Sequence, residues 1–183
     1  MKNKKVTLVP LTSDDREQFI LDNQWAFRYG ALMEFGERDN HIDKEGEIIS
    51  RKTIEGCIDD PQSETYRIVA DGKKVGGVIL KINKETNHNQ LEILFTSPEE
   101  HSKGIGYGAW QAVESMHPKT KIWETCTPYF EKRNIHFYVN KCGFQIDAFW
   151  GQYFQPDKPM IDDKDRREDE GPDEMFRFIK VMP

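Results

Sequence analysis

Cysteine is scarce in this sequence, which has three in 183 residues: Cys57, Cys126 and Cys142. Their number is odd and their spacing matches no zinc motif, so we expect neither a disulfide framework nor a bound metal. Long apolar runs are also missing, since none approaches the ~20 residues of a membrane helix. The apolar stretch after the basic N-terminus stops at Pro10, which is too short for the core of a signal peptide. We therefore expect a cytoplasmic protein that does not associate with membranes.

Positive charge is the second shortage, with 26 basic against 32 acidic residues and a formal net charge of −6. Nucleic-acid binding needs a basic face, so this balance argues against a nucleic-acid partner. The charge is uneven, because residues 162–174 contain eight acids and three bases, whereas residues 101–141 contain six bases and three acids. A local basic stretch in an acidic protein favours a phosphate ligand.

The length and the apolar pattern predict a single α/β (α+β) domain over residues 1–183. Three consecutive strands with a hairpin turn at Asp71-Gly72 indicate an antiparallel meander. The strand–helix–strand–helix order that follows indicates a local parallel crossover, so we expect a mixed, mainly antiparallel central sheet flanked by helices. The predicted strands are 6–9, 66–70, 75–82, 91–96, 121–125, 144–154 and 175–182, and the predicted helices are 13–35, 47–58, 104–116 and 127–141.

Glycines open the predicted helix that follows the meander, within the segment 97–110. The first N–H groups of a helix lack internal partners, and together with the helix dipole they can bind a phosphate or pyrophosphate. Gly104 and Gly106 have no side chain to block the approach of such a ligand. The segment therefore predicts a phosphate-binding helix start.

The same glycines also fit a dinucleotide fingerprint, Gly104-x-Gly106-x-x-Ala109, with Glu124 20 residues after Gly104. That fingerprint places its first glycine directly after a strand, whereas residues 97–103 intervene here. The preceding strands also indicate a meander and not a parallel, doubly wound sheet. A dinucleotide-binding protein is therefore a remote alternative.

A second motif joins the glycine loop to the next helix. The loop reads His101-x-x-Gly104-x-Gly106, and Tyr138 stands five residues before the pair Gly143-Phe144. Together these residues resemble the GCN5-related N-acetyltransferase (GNAT) family.

Two positions depart from the family's pattern. His101 stands where the family usually has Arg or Gln, and Glu131 stands where many members have Asn. The loop binds through backbone amides, so we expect pyrophosphate binding to survive the histidine. Asn134, one turn before Tyr138, is a candidate for the substitute amide.

The resemblance implies transfer of an acyl group, usually acetyl, from coenzyme A to an amine, with acetyl-CoA as the co-substrate. It implies that pantetheine pairs with the strand before the loop and that the loop amides hold the pyrophosphate. The cofactor-binding residues that we predict from it are Phe95, Thr96, His101, Lys103, Gly104, Ile105, Gly106, Tyr107, Asn134 and Lys141.

A general base is needed, because an amine is mostly protonated at neutral pH and must lose a proton before it attacks a thioester. Some family members carry a catalytic Glu at the position of Glu92, on the strand that leads into the loop. Strand alternation places Glu92 on one face with Leu94 and Thr96. The alternative bases are His101, His136 and Glu124.

A proton donor for the departing thiolate is the second catalytic group, and Tyr138 has the family's position for that role. Helical spacing predicts that Tyr138 shares a polar face with Asn134 and Lys141. An apolar stripe of Ile135, Val139 and Cys142 would then face the core.

The acceptor is expected to be a small-molecule amine, bound by a monomer or a homodimer. In this family the first two helices and the last loop usually shape the acceptor side, and acids there would suit a cationic amine. The residues concerned are Trp25, Tyr29, Glu34, Glu37 and the acidic segment 162–174. A non-catalytic sensor that binds acyl-CoA is the rival function.

Overall fold

A seven-stranded sheet forms the centre of the molecule, with strand order β1-β2-β3-β4-β5-β7-β6. The structure is a computed structural model, and it describes residues 5–33, 42–101, 104–151 and 174–183. The strands are β1 (Val6–Pro10), β2 (Ser63–Ala70), β3 (Lys73–Lys81), β4 (His88–Thr96), β5 (Ile122–Pro128), β6 (Gln145–Trp150) and β7 (Met175–Val181). The helices are α1 (Arg16–Leu32), α2 (Arg51–Asp59), α3 (Ile105–Met116) and α4 (Lys132–His136), and a π-helical turn (Phe137–Lys141) follows α4.

The sheet is mainly antiparallel, which confirms the predicted fold class. Strands β1 to β4 pair antiparallel in sequence order, as do β5 with β7 and β7 with β6. The β4–β5 pair is parallel, and α3 makes the crossover between these two strands. The predicted hairpin is confirmed too, since Asp71 and Gly72 have φ of 50° and 76°, the positive values that a tight two-residue turn requires.

Apolar side chains cover both faces of the sheet. On one face, α1 and α2 pack through Phe19, Ile20 and Ile54 against β3 and β4. The Phe19 ring lies so close to β3 that a Cβ on Gly77 would be 2.3 Å from it. The other face holds a larger cluster, whose biggest members are Trp110, Trp123, Tyr138, Phe144 and Phe178.

The buried guanidinium of Arg67 links α1 to the sheet through two ion pairs. Arg67 on β2 is 2% exposed and forms ion pairs with Asp15 at 2.8 Å and with Asp22 at 2.7 Å. The hydrogen bonds from Arg67 lower the pKa of Asp15. An unpaired charge at this depth would be costly, so the two carboxylates keep α1 in one position on the sheet.

Two predicted helix starts are wrong. The second helix begins at Arg51, not at residue 47, because the Ser50 hydroxyl accepts a hydrogen bond of 3.0 Å from the Thr53 N–H and caps the helix there. Thr127-Pro128 is not a helix start, because both residues pair with β7 and extend β5. Proline is tolerated at this strand end, and the helix begins only at Lys132.

The last predicted strands are confirmed in part. Strand β6 ends at Trp150, and residues 152–154 of the predicted strand lie outside the described residues. The acidic segment lies outside them as well, apart from Glu174. Among the described helices, none has the length and apolar character that a membrane span requires.

Candidate functional site

Strands β4 and β5 separate along their length. Their parallel register runs from His88↔Ile122 to Gln90↔Glu124, and within the described residues no part of β5 pairs with β4 beyond it. The Thr125 hydroxyl donates a buried hydrogen bond of 2.9 Å to the Leu91 carbonyl, just past the last pair. Beyond this link β5 continues along β7, while β4 continues along β3 to Thr96. Near Phe95 and Thr96, β4 is therefore paired with β3 on one side and not with β5 on the other.

A β-bulge sits on β4 at the start of this separation. Ile93 pairs with Ile79 and Leu91 pairs with Leu80, which leaves Glu92 as the extra residue. An extra residue reverses strand alternation, so Glu92 does not share a face with Leu94 as predicted. Glu92 instead contacts α2, whereas Leu94 packs against the clusters on the opposite face.

The surroundings of Glu92 favour its protonated form. Burial raises the pKa of its carboxyl, and the nearby Lys81 ammonium works in the opposite direction. Lys81 is itself paired with Asp60 at 2.7 Å. The Cys57 thiol of α2 lies 3.9 Å from a Glu92 carboxylate oxygen. Glu92 is thus a partly buried carboxyl whose proton affinity is increased by burial and decreased by the Lys81 ammonium, and an increased proton affinity suits a proton acceptor.

Tyr138 lies on the opposite face of the sheet from Glu92. It is 8% exposed and packs against Phe144 and Phe178, with ring centroids 5.7 and 5.4 Å away. Its hydroxyl makes a hydrogen bond with Thr125, and burial raises its pKa. Because Thr125 also bonds to Leu91, the Tyr138 hydroxyl lies where β4 and β5 begin to separate.

The predicted polar face of this helix is wrong for Tyr138. Asn134 and Lys141 are exposed, whereas Tyr138 is buried together with Cys142. The chain forms a π-helical turn from Phe137 to Lys141, and its extra residue rotates Tyr138 away from the face that 3.6-residue spacing predicts.

The glycine loop leads into α3 as predicted. Gly104 is the N-cap of α3 with φ of 75°, a left-handed conformation that favours glycine. In the part of the chain that the structure describes, no atom apart from its chain neighbours lies within 4 Å of a Cβ built there. The Gly108 N–H donates to the Gly104 carbonyl at 2.9 Å, so the amides of Ile105, Gly106 and Tyr107 are not used by the helix itself. Lys103 lies outside the described residues. An anion fits this arrangement, since amide donors and open space meet at one helix end.

The His101 side chain contacts the end of β4, the helix α4 and the helix α1. Its Nε2 lies 3.3 Å from the Thr96 carbonyl oxygen, and its Nδ1 lies 3.1 Å from a guanidinium nitrogen of Arg133. Its ring is edge-on to Tyr29 of α1, with centroids 5.9 Å apart. Asn134, the next residue after Arg133, donates from its amide to the Thr127 hydroxyl at 3.1 Å.

The alternative bases have other surroundings. His136 pairs with Asn140 at 2.8 Å on the exposed side of the helix. Glu124 is buried and pairs with the His88 ring at 2.9 Å, on the face that Glu92 occupies. Among the described residues, no group of three or more His, Cys, Asp or Glu side chains could hold a metal ion.

The predicted acceptor side is described only in part. Trp25 and Tyr29 pack together on α1 with centroids 5.8 Å apart, whereas Glu34 and Glu37 lie outside the described residues. Sequence reasoning missed Thr125 and Arg133, whose roles depend on strand separation and on helix position. The excess of basic residues between 101 and 141 was the one signal that could have singled out Arg133.

Comparison with known proteins finds both a family and a relative. The profile of the Acetyltransferase (GNAT) family matches residues 21–144. The chain is 40% identical over 195 residues to "Uncharacterized protein YrkN" of Bacillus subtilis (strain 168), covering 100% of this chain and 98% of that one.

Solved structures show the same fold. An acetyltransferase from Thermus thermophilus superposes with a TM-score of 0.64 at 15% identity, covering 100% of both chains. A Bacillus subtilis acetyltransferase crystallised in complex with CoA gives a TM-score of 0.61 at 16% identity, covering 98% of this chain and 99% of that one.

Proposed function

The chain belongs to the acetyltransferase (GNAT) family, and we propose that it moves an acetyl group from acetyl-CoA to a small-molecule amine by direct attack. The separation of β4 from β5 beside the N-terminus of α3 carries this proposal. It offers a strand edge that is not paired with β5 next to amides that α3 does not use, which are the two kinds of backbone group that pantetheine and a pyrophosphate need.

The proposal assigns the binding residues as the resemblance implies them. Backbone groups of Phe95 and Thr96 would pair with the pantetheine amides, and the amides from Lys103 to Tyr107 would hold the pyrophosphate. His101 borders this region from the loop and Asn134 borders it from α4. Lys141 is proposed as a binding residue from the resemblance alone. Acetyl-CoA would supply an acetyl group activated as a thioester, and the chain would orient it.

Glu92 and Tyr138 would act from the two faces of the sheet. The amine nitrogen bonds to the acetyl carbon, and the Glu92 carboxylate accepts the proton that the nitrogen loses. The C–S bond breaks, and the Tyr138 hydroxyl donates a proton to the departing sulfur. Because Glu92 contacts α2 and Tyr138 lies in the opposite cluster, base and acid would flank the gap without competing for one position.

The partners and compartment are part of the proposal. We propose a small-molecule amine as acceptor, a monomer or homodimer as the active form, and the cytoplasm as the compartment. The odd, sparse count of three cysteines supports a reducing compartment.

A thiol-release screen across amine classes tests this function. We expect at least one amine to stimulate release of free coenzyme A well above the rate without amine, with equimolar acetylated product. Acetyl-CoA at ~100 times its dissociation constant should also stabilise the fold by about 2.7 kcal/mol. Tight acetyl-CoA binding without amine-stimulated release would favour the sensor, and stabilisation by a dinucleotide alone would favour the dinucleotide alternative.

A further inference from the structure

We propose that Lys81 and Asp60 are positioning residues for Glu92, and that their ion pair determines the charge that the proposed base faces. The inference rests on the proposed function for its catalytic part, because it concerns the base of that reaction. The contacts that carry it lie within the chain itself.

Lys81 and Glu92 lie on the same face of the sheet. Lys81 is the last residue of β3, and Glu92 is the bulge residue of the neighbouring strand β4. Ile79 packs in the cluster beneath α1 and α2, so strand alternation places Lys81 on that face as well. The Lys81 ammonium is therefore on the side of the Glu92 carboxyl, where it lowers the pKa that burial raises.

The end of α2 contacts both of these side chains. The Cys57 thiol lies 3.9 Å from a Glu92 carboxylate oxygen, and three positions later Asp60 pairs with Lys81 at 2.7 Å. The Asp60 carboxylate also accepts a hydrogen bond of 2.8 Å from the Gln62 N–H. Because this backbone contact orients Asp60, the carboxylate restricts where the long Lys81 side chain can place its charge.

The other groups near Glu92 come from α2, β5 and α1. Burial raises the pKa of Cys57 to about 12, and it raises the pKa of Cys126 on β5 too, so both thiols are neutral at neutral pH. Glu124 on β5, which pairs with His88 at 2.9 Å, raises the pKa of Glu92. The residues of α1 that pack on this face are apolar. The ammonium of the ion pair thus opposes both burial and the Glu124 carboxylate.

The two members of the ion pair should affect Glu92 in opposite directions. Lys81→Met removes the cation, so Glu92 should keep its proton to a higher pH and the acidic limb of the pH–rate profile should move up. Asp60→Asn removes an anion and releases Lys81, so the limb should move down. Both variants break the same ion pair, so a structural disturbance that they share cannot produce shifts of opposite sign.

The test combines two measurements on the full chain. Carbon NMR follows the titration of the Glu92 carboxyl without ligand, using Glu92→Gln to identify its signal. The pH profile of kcat/KM with an accepted amine follows the reaction, and a shift between variants belongs to the protein because the amine titrates identically in each. At a pH on the acidic limb, we expect Lys81→Met to lose about 3- to 10-fold in its fraction of plateau activity and Asp60→Asn to gain.

Asp59→Asn is the matched control for Asp60→Asn. Asp59 precedes Asp60 and pairs with Arg16 at 2.6 Å, and its side chain is 63% exposed. This variant therefore loses the same charge and one ion pair, but at a site where solvent screens the charge. Its Glu92 titration and its acidic limb should follow those of the parent.

Several outcomes would overturn the inference. A Glu92 titration that moves in neither variant, or in the same direction in both, removes the positioning role of the ion pair, and so does a control that shifts as far as Asp60→Asn. If Lys81→Met does not fold, the double variant Lys81→Met, Asp60→Asn takes its place, and its titration should lie above that of Asp60→Asn. An acidic limb that persists unchanged in Glu92→Gln would refute Glu92 as the base. A parent that releases no coenzyme A with any amine would refute the proposed function, whereas opposite shifts of the Glu92 titration would still support the role of the ion pair.

Discussion

Replacing Tyr138 by phenylalanine should separate the chemistry of this residue from its packing. The ring is buried between Phe144 and Phe178, and phenylalanine keeps these contacts. What is lost is the hydroxyl and its hydrogen bond with Thr125. One such hydrogen bond contributes about 1 kcal/mol, which lowers the melting temperature of a domain of this size by about 2–4 °C.

The effect on turnover should be larger than the effect on stability. We expect a loss of ~10- to 1000-fold in kcat, near the usual contribution of a positioned acid or hydrogen-bond donor. Acetyl-CoA affinity should stay nearly intact, because the hydroxyl acts mainly as the sulfur becomes anionic. The assay is thiol release with the accepted amine under conditions in which the chemical step limits the rate.

Tyr66→Phe is the matched control. Tyr66 on β2 also loses a hydroxyl hydrogen bond, to Glu64 at 2.7 Å, but β3 lies between it and the separation of β4 and β5. Its kcat should equal that of the parent. If Tyr138→Phe also turns over at the parent rate, Tyr138 is not the proton donor and water or another group must protonate the sulfur.

Two further substitutions test the base and the loop. Glu92→Gln should reduce turnover most at lower pH, where the amine holds its proton most firmly, and pH–rate profiles check this. The same variant should gain stability relative to the parent as pH rises. The pKa of Glu92 is raised in the folded state, so the free energy of unfolding of the parent falls as pH rises from the unfolded pKa to the folded pKa. Chemical unfolding of both proteins at several pH values measures the difference. Exposed Glu85→Gln controls for the loss of one carboxylate. An identical pH dependence of stability in the parent and in Glu92→Gln would contradict a raised pKa of Glu92. Gly104→Val should weaken coenzyme A binding more than Gly72→Val, because only Gly104 lies at the proposed phosphate site. The two glycines are otherwise matched, since both have a φ near 75° and neither would bring a Cβ within 4 Å of another described residue beyond its chain neighbours. Both variants should therefore lose about 1–2 kcal/mol of stability from backbone strain. Equal coenzyme A affinities in the two glycine variants would mean that the loop is not the phosphate site.

The faces on which Glu92 and Tyr138 lie could not be predicted from sequence spacing. Both residues were selected by motif position, and their faces were predicted from ideal periods of 2 and 3.6. A bulge at Glu92 and a π-helical turn at Tyr138 each insert one residue, and each turns the side chain to another face. Such irregularities arise from long-range packing, so neither pattern is visible in the local sequence.

The hairpin turn and the start of α3 could be predicted from the sequence, because one or two residues determine each of them. Asp71-Gly72 forms the expected hairpin since its backbone needs positive φ at both positions, and the glycine loop opens α3 for a similar reason. The order of strands and helices was sufficient to predict the class of the fold. The apolar residues of a strand repeat every two positions and those of a helix every 3.6, so the sequence pattern distinguishes the two kinds of element.

The tertiary structure alone decided which distant groups meet. Arg133 bonds to His101 across 32 positions of sequence, and Thr125 joins β5 to Leu91 across 34. These contacts exist because β5 leaves β4 to follow β7, and α4 then returns beside the loop. No local sequence pattern predicts the position of α4, because strand pairing and core packing depend on contacts across the whole sheet.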